Sequence, residues 1–256
     1  ALISLTNSKK NNLNKSLVVA NPSFDLYKVK DEIINKRVFT NNFQRRSSDF
    51  TFEKFKPLPW TDLEGEEISN LISANLIKED DATSLNIQSI KSPKILHIAS
   101  HAKFLPDKSD KGNPLLRSFI VLAGANNYLL NPNDDGYLTA YEVSKLDLKG
   151  TELVVISGCD SSRGDIKSGE GVYGLKRAIQ VAGSKSSLLS LWQIDDRATS
   201  VFMKSFYKNL LKGMDKYEAL NATINEFKNS PIPIWRHPFY WAGFQLSGDW
   251  RKINFD

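Results

Sequence analysis

The sequence predicts an α/β fold in which a mainly parallel sheet lies between two layers of helices. Two apolar runs, KILHIAS (94–100) and TELVVIS (151–157), are short and uninterrupted, as is typical of strands buried on both faces. Between the predicted strands, apolar residues recur at three- and four-residue spacing, which indicates crossover helices. We therefore expect one three-layer α/β/α domain.

Five strands are predicted in chain order, each bounded by turn or polar residues. They are SLVVA (16–20), KILHIAS (94–100), TELVVI (151–156), SLLSLW (187–192) and an aromatic strand from Phe239 to Leu246. Leu115–Ala123 and Asn127–Leu130 are interpreted as a β-hairpin or paired strands joined by Gly124.

Helices are predicted where apolar residues share a helical face and capping residues precede them. They run from Leu63 to Ile77, from Thr139 to Leu146, from about Val172 to Ala182, from Asp195–Asp196, and from Asp215. Thr139 with Glu142 has capping-box spacing, and Gly183 ends the third helix.

The composition describes one globular chain with a sizeable core. It has 256 residues, of which 41% are hydrophobic. No stretch has the length of a membrane span, and the first residues lack the apolar region of a secretory signal. A single cysteine fits a reducing, cytoplasmic compartment. The net charge of +5 is dispersed, so direct nucleic-acid binding is not expected.

The only cysteine, Cys159, and one of the three histidines, His101, each follow a predicted strand. A lone cysteine is often a small buried hydrophobe. If the two strands are neighbours, however, thiol and imidazole meet at the carboxyl edge of the sheet and form a Cys-His nucleophile pair. His97, inside its strand, and His237, before a proline, are interpreted as structural.

Seven blocks of the chain resemble, in order, the CHAT domain, a caspase-like cysteine peptidase domain often fused to tetratricopeptide repeats. They are VVANPSF (18–24), LHIASHA (96–102), PLLRSFIVLAGAN (114–126), DGYLTAYEVSKLDLKGTELVVISGCDS (135–161), GEGVYGLKRAIQVAGS (169–184), SLWQIDDRAT (190–199) and HPFYWAGFQLSGDW (237–250). The resemblance implies a caspase-like sheet, with His101 and Cys159 at the catalytic positions. Their separation of 58 residues is close to the roughly 50 of the caspase pattern.

The resemblance also implies a domain organisation. Residues 1–15 would be a lead-in or the remnant of a preceding region, and residues 16–256 the peptidase domain. An insertion is expected at about 25–57, and it contains Arg45-Arg46. The insertion is interpreted as a surface loop or small hairpin, and a sharper hypothesis makes the arginine pair a processing site.

Resemblance to the caspase clan assigns the oxyanion donors to the backbone amides of Cys159 and Ala102. The family usually has glycine at position 102 and at position 162, where this chain has Ala102 and Ser162. Both departures lie beside the dyad, where they could alter loop geometry, and neither removes a reacting group.

By the same resemblance, a substrate peptide would add a strand beside Leu188–Trp192, with Ser190 and Trp192 among the contacts. Trp192 could equally be a core aromatic. Asp195 and Asp196 follow, and one of them is expected to cap the next helix. The other could line the pocket for the residue before the scissile bond and select lysine or arginine.

The leading prediction is a cysteine endopeptidase that cuts a specific protein or peptide substrate under the control of a repeat domain or activator. Relatives of this kind include proteases of bacterial defence systems. An inactive caspase-like scaffold is the alternative, because Ala102 and Ser162 could spoil the site. A Ca²⁺-dependent metacaspase is disfavoured, since the chain has no EF-hand loop. No metal or cofactor is expected.

Overall fold

The structure, a computed structural model, describes residues 14–26, 54–104, 114–130, 134–158 and 170–255. Six strands of the described residues form the main sheet: β1 (Leu17–Pro22), β2 (Asn75–Glu79), β3 (Ile95–Ala99), β7 (Leu153–Ile156), β8 (Ser186–Ser190) and β9 (Phe244–Gly248). Their order in the sheet is β2-β1-β3-β7-β8-β9. Neighbouring strands run parallel except β9, which is antiparallel to β8.

In the described ranges, six α-helices lie on the two faces of this sheet. They are α1 (Pro59–Leu71), α2 (Ser84–Gln88), α3 (Ala140–Val143), α4 (Glu170–Val181), α5 (Asp196–Leu211) and α6 (Lys216–Lys228). Side chains that alternate along each strand pack into two separate cores, one with α1, α5 and α6 and one with α2, α3 and α4. In β7, for example, Val155 faces the first core and Val154 the second. The predicted three-layer α/β/α architecture is confirmed.

A second, three-stranded antiparallel sheet leads away from β3 and extends the second core. It consists of β4 (Ala102–Phe104), β5 (Ser118–Val121) and β6 (Tyr137–Thr139) in that order. Thr139 also caps α3 through the predicted capping box with Glu142. The small sheet therefore begins at the residue after His101.

The helix predicted through Ile77 ends early, and that part of the prediction is wrong. Ser73 adopts a left-handed conformation with φ of 51°, so α1 stops and the chain returns to the sheet as β2. Leu76 keeps the helical spacing from Ile68, which is why periodicity alone could not find the break.

The predicted pairing of Leu115–Ala123 with Asn127–Leu130 is also wrong. Ala125–Leu130 forms 3-10 turns, and β5 pairs instead with β4 and β6. Gly136, with φ of 73°, makes the turn that brings β6 back to β5. The final strand is shifted to Phe244–Gly248, since Pro238–Tyr240 is a 3-10 turn.

Candidate active site

His101 and Gly158 come together because β3 and β7 are adjacent parallel strands, with Ile98 opposite Ile156. Both strands leave the sheet at the same edge, so the polar residues that follow them meet there. A Cβ on Gly158 would lie 2.0 Å from the carbonyl oxygen of Ser100. Only glycine permits this approach, which brings the residue before Cys159 against the segment that carries His101.

The imidazole of His101 is buried and has a defined orientation. Its Nε2 lies 2.9 Å from the carbonyl oxygen of Lys56. A carbonyl oxygen only accepts, so Nε2 carries the hydrogen, and the neutral ring then has its lone pair on Nδ1. The rings of Phe24 and Phe55 pack against it, with centroid distances of 5.3 and 5.6 Å.

Asn126 fixes the backbone that contacts His101. Its Nδ2 donates to the carbonyl of Phe55 at 3.0 Å, and its Oδ1 accepts from the Phe55 amide at 2.8 Å. The amide of Asn126 donates to the carbonyl of Phe24 at 3.0 Å. One residue thus ties together the two segments that pack on His101, including the one that presents Lys56.

Cys159 itself lies outside the described residues, as do Ser162 and Arg45-Arg46, and the insertion predicted at 25–57 is described only at its two ends. Pairing of the thiol with His101 therefore stays a prediction. The described chain on this side ends at Gly158, next to the cysteine.

Ala102 meets one requirement of the predicted oxyanion role. The amide of Val121 donates to the carbonyl of His101 at 2.8 Å, and Ala102 lies opposite Ile120. Hydrogen-bonded and non-hydrogen-bonded pairs alternate in antiparallel sheets, so the amide of Ala102 points away from β5 and is not used by that ladder. The methyl group of Ala102 packs in the hydrophobic core.

A cavity of about 400 Å³ lies beside His101 at the carboxyl edge of the sheet. This volume is within the roughly 300–1,000 Å³ common for ligand sites. The strand ends contribute His101, Ser157 and Gly158, α1 contributes Glu64, the loop after β8 contributes residues 193–195, and α5 contributes Asp196. The cavity thus joins the segment before Cys159 to both predicted aspartates.

Asp195 and Asp196 are adjacent in the chain and have different surroundings. Asp195 is exposed and caps α5, where its Oδ1 accepts from the amide of Ala198 at 2.9 Å, so the predicted cap is confirmed. Asp196 is half-buried, and its Oδ2 accepts from the amide of Trp60 at 2.9 Å. Burial, followed by the charges of Glu64 and Asp195, raises the pKa of Asp196 to about 6 against the opposing Trp60 hydrogen bond.

Ser190 and Trp192 are not among the described residues that line the cavity. Ser190 is fully buried, and its hydroxyl donates to the carbonyl of Trp192 at 2.6 Å. The indole Nε1 of Trp192 donates to the carbonyl of Phe239 at 2.9 Å, and its ring packs on Gly243, where a Cβ would lie 2.9 Å away. Phe239 does line the cavity, so Trp192 supports the cavity wall from behind.

The expectation that a peptide adds a strand beside Leu188–Trp192 is wrong for the part of that stretch that belongs to β8, Leu188–Ser190. β8 is already paired with β7 on one edge and with β9 on the other. The second ladder continues to the amide of Leu191, which donates to the carbonyl of Gly243 at 2.8 Å. Backbone outside these ladders begins at Trp192.

Glu64 was not predicted as a site residue. Its Oε1 lies 2.8 Å from Nε2 of His97, whose Nδ1 lies 3.2 Å from the hydroxyl of Tyr207. Burial, with the charge of Glu64, raises the pKa of Tyr207 well above its ordinary value, so the phenol is neutral and can donate to His97. Its burial could have been predicted from the sequence, because Glu64 lies four residues before Ile68 on the apolar face of its helix.

His97 and His237 have the structural roles predicted for them. His97 is fully buried between its two partners, and the exposed His237 accepts from the amide of Phe239 through Nδ1 at 3.2 Å. Within the described residues, no group of three or more His, Cys, Asp and Glu side chains could hold a metal ion. None of the helices in these ranges is both long and apolar enough to cross a membrane.

This chain is similar to part of tetratricopeptide repeat protein 28 from two species. The identity is 34% over 123 residues of the Homo sapiens protein and 32% over 117 residues of the Mus musculus protein. These matches cover 48% and 46% of this chain and 5% of each relative, so the chain corresponds to a small part of those proteins.

A crystal structure of the Arg-specific cysteine proteinase gingipain R is similar over 94% of this chain and 47% of that one. The sequence identity is 9%, and the TM-score is 0.46. The family model of the CHAT domain matches residues 1–249, and the chain therefore belongs to the CHAT domain family.

Proposed function

We propose that this chain is a cysteine endopeptidase that cuts a protein substrate after a basic residue. The observation that carries the proposal is the cavity that joins His101 and Gly158, the residue before Cys159, to the half-buried carboxyl of Asp196. The residue before the proposed nucleophile, the proposed proton carrier and a charged group for specificity thus line one cavity. Membership of the CHAT domain family supports the same function class.

In the proposed reaction, Nδ1 of His101 takes the proton of the Cys159 thiol, and the resulting thiolate attacks the scissile carbonyl carbon and forms an S–C bond. His101 then gives a proton to the amine as the C–N bond breaks, which leaves an acyl-enzyme. Water, deprotonated by His101, hydrolyses the thioester, and the thiol is regenerated. The carbonyl of Lys56, by holding Nε2–H of His101, would orient the ring throughout this cycle.

Negative charge on the substrate oxygen would be stabilised by the amides of Cys159 and Ala102. Support for Ala102 comes from the register of β4 and β5, which directs its amide away from the ladder. Because the methyl of Ala102 packs in the core, the departure from glycine does not place a side chain in the substrate's path.

The preference for a basic residue is proposed from the charge of the cavity. Asp196 faces it with a partly buried carboxyl, and Asp195 adds a nearby negative charge. A cationic side chain would relieve this like-charge repulsion, whereas an apolar one would leave the carboxyl unpaired.

Control by a repeat region is proposed from the relatives. Those relatives are tetratricopeptide repeat proteins, and this chain matches a twentieth of their length. A repeat region or activator would then govern the access of substrate to the cavity.

The test is cleavage of a fluorogenic peptide library by the purified chain beside Cys159→Ala and His101→Ala, with an alkylating probe for the thiol. The proposal expects cleavage that both variants lose and a preference for Arg or Lys before the cut. A chain that reacts with the probe without cutting would indicate a missing activator. An inert Cys159 would contradict the proposal and favour a scaffold.

A further inference from the structure

Glu64 has a buried carboxylate whose two oxygens differ in their hydrogen bonding. Its side chain has no exposure, and Oε1 is engaged by Nε2 of His97 at 2.8 Å. Oε2 has no hydrogen-bond partner among the described residues. Nearly all buried polar atoms in folded proteins are satisfied, so an orphaned carboxylate oxygen beside a cavity requires an explanation.

The surrounding structure holds Glu64 in place. The next residue, Gly65, lets α1 pack closely on β1: a Cβ there would lie 2.5 Å from the Cβ of Ala20. This approach carries the side chain of Glu64 to His97, which Tyr207 fixes from the other side. The carboxylate is therefore preorganised by a chain of buried contacts.

Glu64 and Asp196 line the same cavity from two different helices, α1 and α5. Asp196 is half-buried, and its Oδ2 accepts a hydrogen bond from the amide of Trp60. A charge sealed from water is weakly screened, so the carboxylate of Glu64 acts on whatever occupies the cavity. The charge of Glu64 also acts on Asp196: burial raises the pKa of Asp196, and Glu64 raises it further.

We propose that Glu64 is a specificity-determining residue of this cavity and that, together with Asp196, it selects a substrate side chain that carries a guanidinium group. The inference rests on the proposed function and names the residue behind its basic preference. A guanidinium has five donors in a planar fork and can address carboxylates on two helices, whereas an ammonium is a compact point charge. Arginine is therefore preferred over lysine.

The first experiment compares peptides with arginine, lysine or citrulline before the cut, because citrulline keeps the shape of arginine without its charge. In Glu64→Gln, kcat/KM for the arginine peptide falls by about 100-fold, mainly through KM, while the citrulline peptide is unaffected. Glu67→Gln is the matched control, since Glu67 is on the same helix and pairs with Lys204. An unchanged arginine-to-citrulline ratio in a folded Glu64→Gln chain would overturn the proposal.

A second experiment separates this inference from the proposed function. Binding of agmatine, which carries a guanidinium and an ammonium, is compared by calorimetry on Cys159→Ala with that of N-carbamoylputrescine, which keeps the ammonium but has an uncharged urea in place of the guanidinium. Agmatine binding that Glu64→Gln abolishes supports the cation site even if no peptide is cut. Equal affinity for the two compounds, or no binding of agmatine, overturns it.

Glu64→Asp serves if Glu64→Gln does not fold, because it keeps the charge and withdraws it by one methylene group. The expected result is a smaller preference for agmatine over N-carbamoylputrescine. An unchanged preference in Glu64→Asp would contradict the assignment to Glu64.

Discussion

His97 and His101 lie four residues apart on one segment of chain and have opposite surroundings. His97 is in the middle of β3, where its two ring nitrogens contact the carboxylate of Glu64 and the hydroxyl of Tyr207. His101 lies past the end of β3, against a backbone carbonyl and two phenylalanine rings, and lines the cavity. Position relative to the strand end decides which environment each ring receives.

A buried histidine that does not reach a site can still position a residue that does. His97 does not line the cavity in the described structure, yet it holds the carboxylate of Glu64 that does. His101 reaches the cavity directly. We therefore expect substitutions of His97 to be seen first in stability and those of His101 first in activity.

The largest effect is expected for His101→Ala. Loss of the proposed proton carrier is expected to lower kcat/KM by about 10²–10⁴-fold. Unfolding in urea changes by no more than about 2 kcal/mol, because the ring lies at the end of a strand rather than within the core. Peptide cleavage rates and urea titrations test both parts. A fully active His101→Ala would end the proposed distinction.

His97→Ala is expected to cost about 3–5 kcal/mol of unfolding free energy, because it leaves the buried carboxylate of Glu64 without its partner. Urea denaturation gives the value. His237→Ala is the control: its exposed ring should cost less than about 1 kcal/mol. A His97→Ala chain as stable as the control would show that the buried pair contributes nothing.

Asn126→Ala tests whether backbone positioning matters for His101. Without the amide that holds Phe55, the carbonyl of Lys56 moves, and we expect kcat to fall by about 10- to 100-fold with little change in KM. The pH profile of kcat should shift as well. Asn229→Ala, at the exposed end of α6, is the control and should leave both unchanged.

The smallest effect is expected for Asp196→Asn, which reports first on the burial of this carboxyl and then on the nearby charges of Glu64 and Asp195. Because the pKa of Asp196 is raised to about 6 in the folded chain, its ionised form destabilises the fold above pH 6. The variant is therefore more stable at pH 8, by about 1 kcal/mol once solvent screening of this half-exposed group is allowed for. The gain declines between pH 6 and pH 4 and is absent below, where the carboxyl is neutral in both states. Urea titrations at pH 4, 6 and 8 test it.

Much of the local structure could be predicted because it depends on neighbours within a few residues. The capping boxes of Thr139 with Glu142 and of Asp215 with Glu218 lie at the predicted helix starts. The apolar runs form β3 and β7, and His101 lies just beyond the end of its strand. By contrast, periodicity missed β2, because a left-handed Ser73 interrupts a pattern that otherwise continues.

Local sequence patterns were enough to predict the alternation of strands and helices, the two strand ends that carry the expected dyad and a helix cap at one of Asp195 and Asp196. Tertiary packing places β3 beside β7 and pairs β8 with a strand on each edge. It also brings Glu64 to His97 across the interface of α1 and the sheet. These features could not be predicted from the sequence. The two kinds of feature differ in how far apart in the sequence the interacting residues are. Capping and periodicity act within one or two turns, whereas a cavity wall is assembled by packing between residues far apart in the chain.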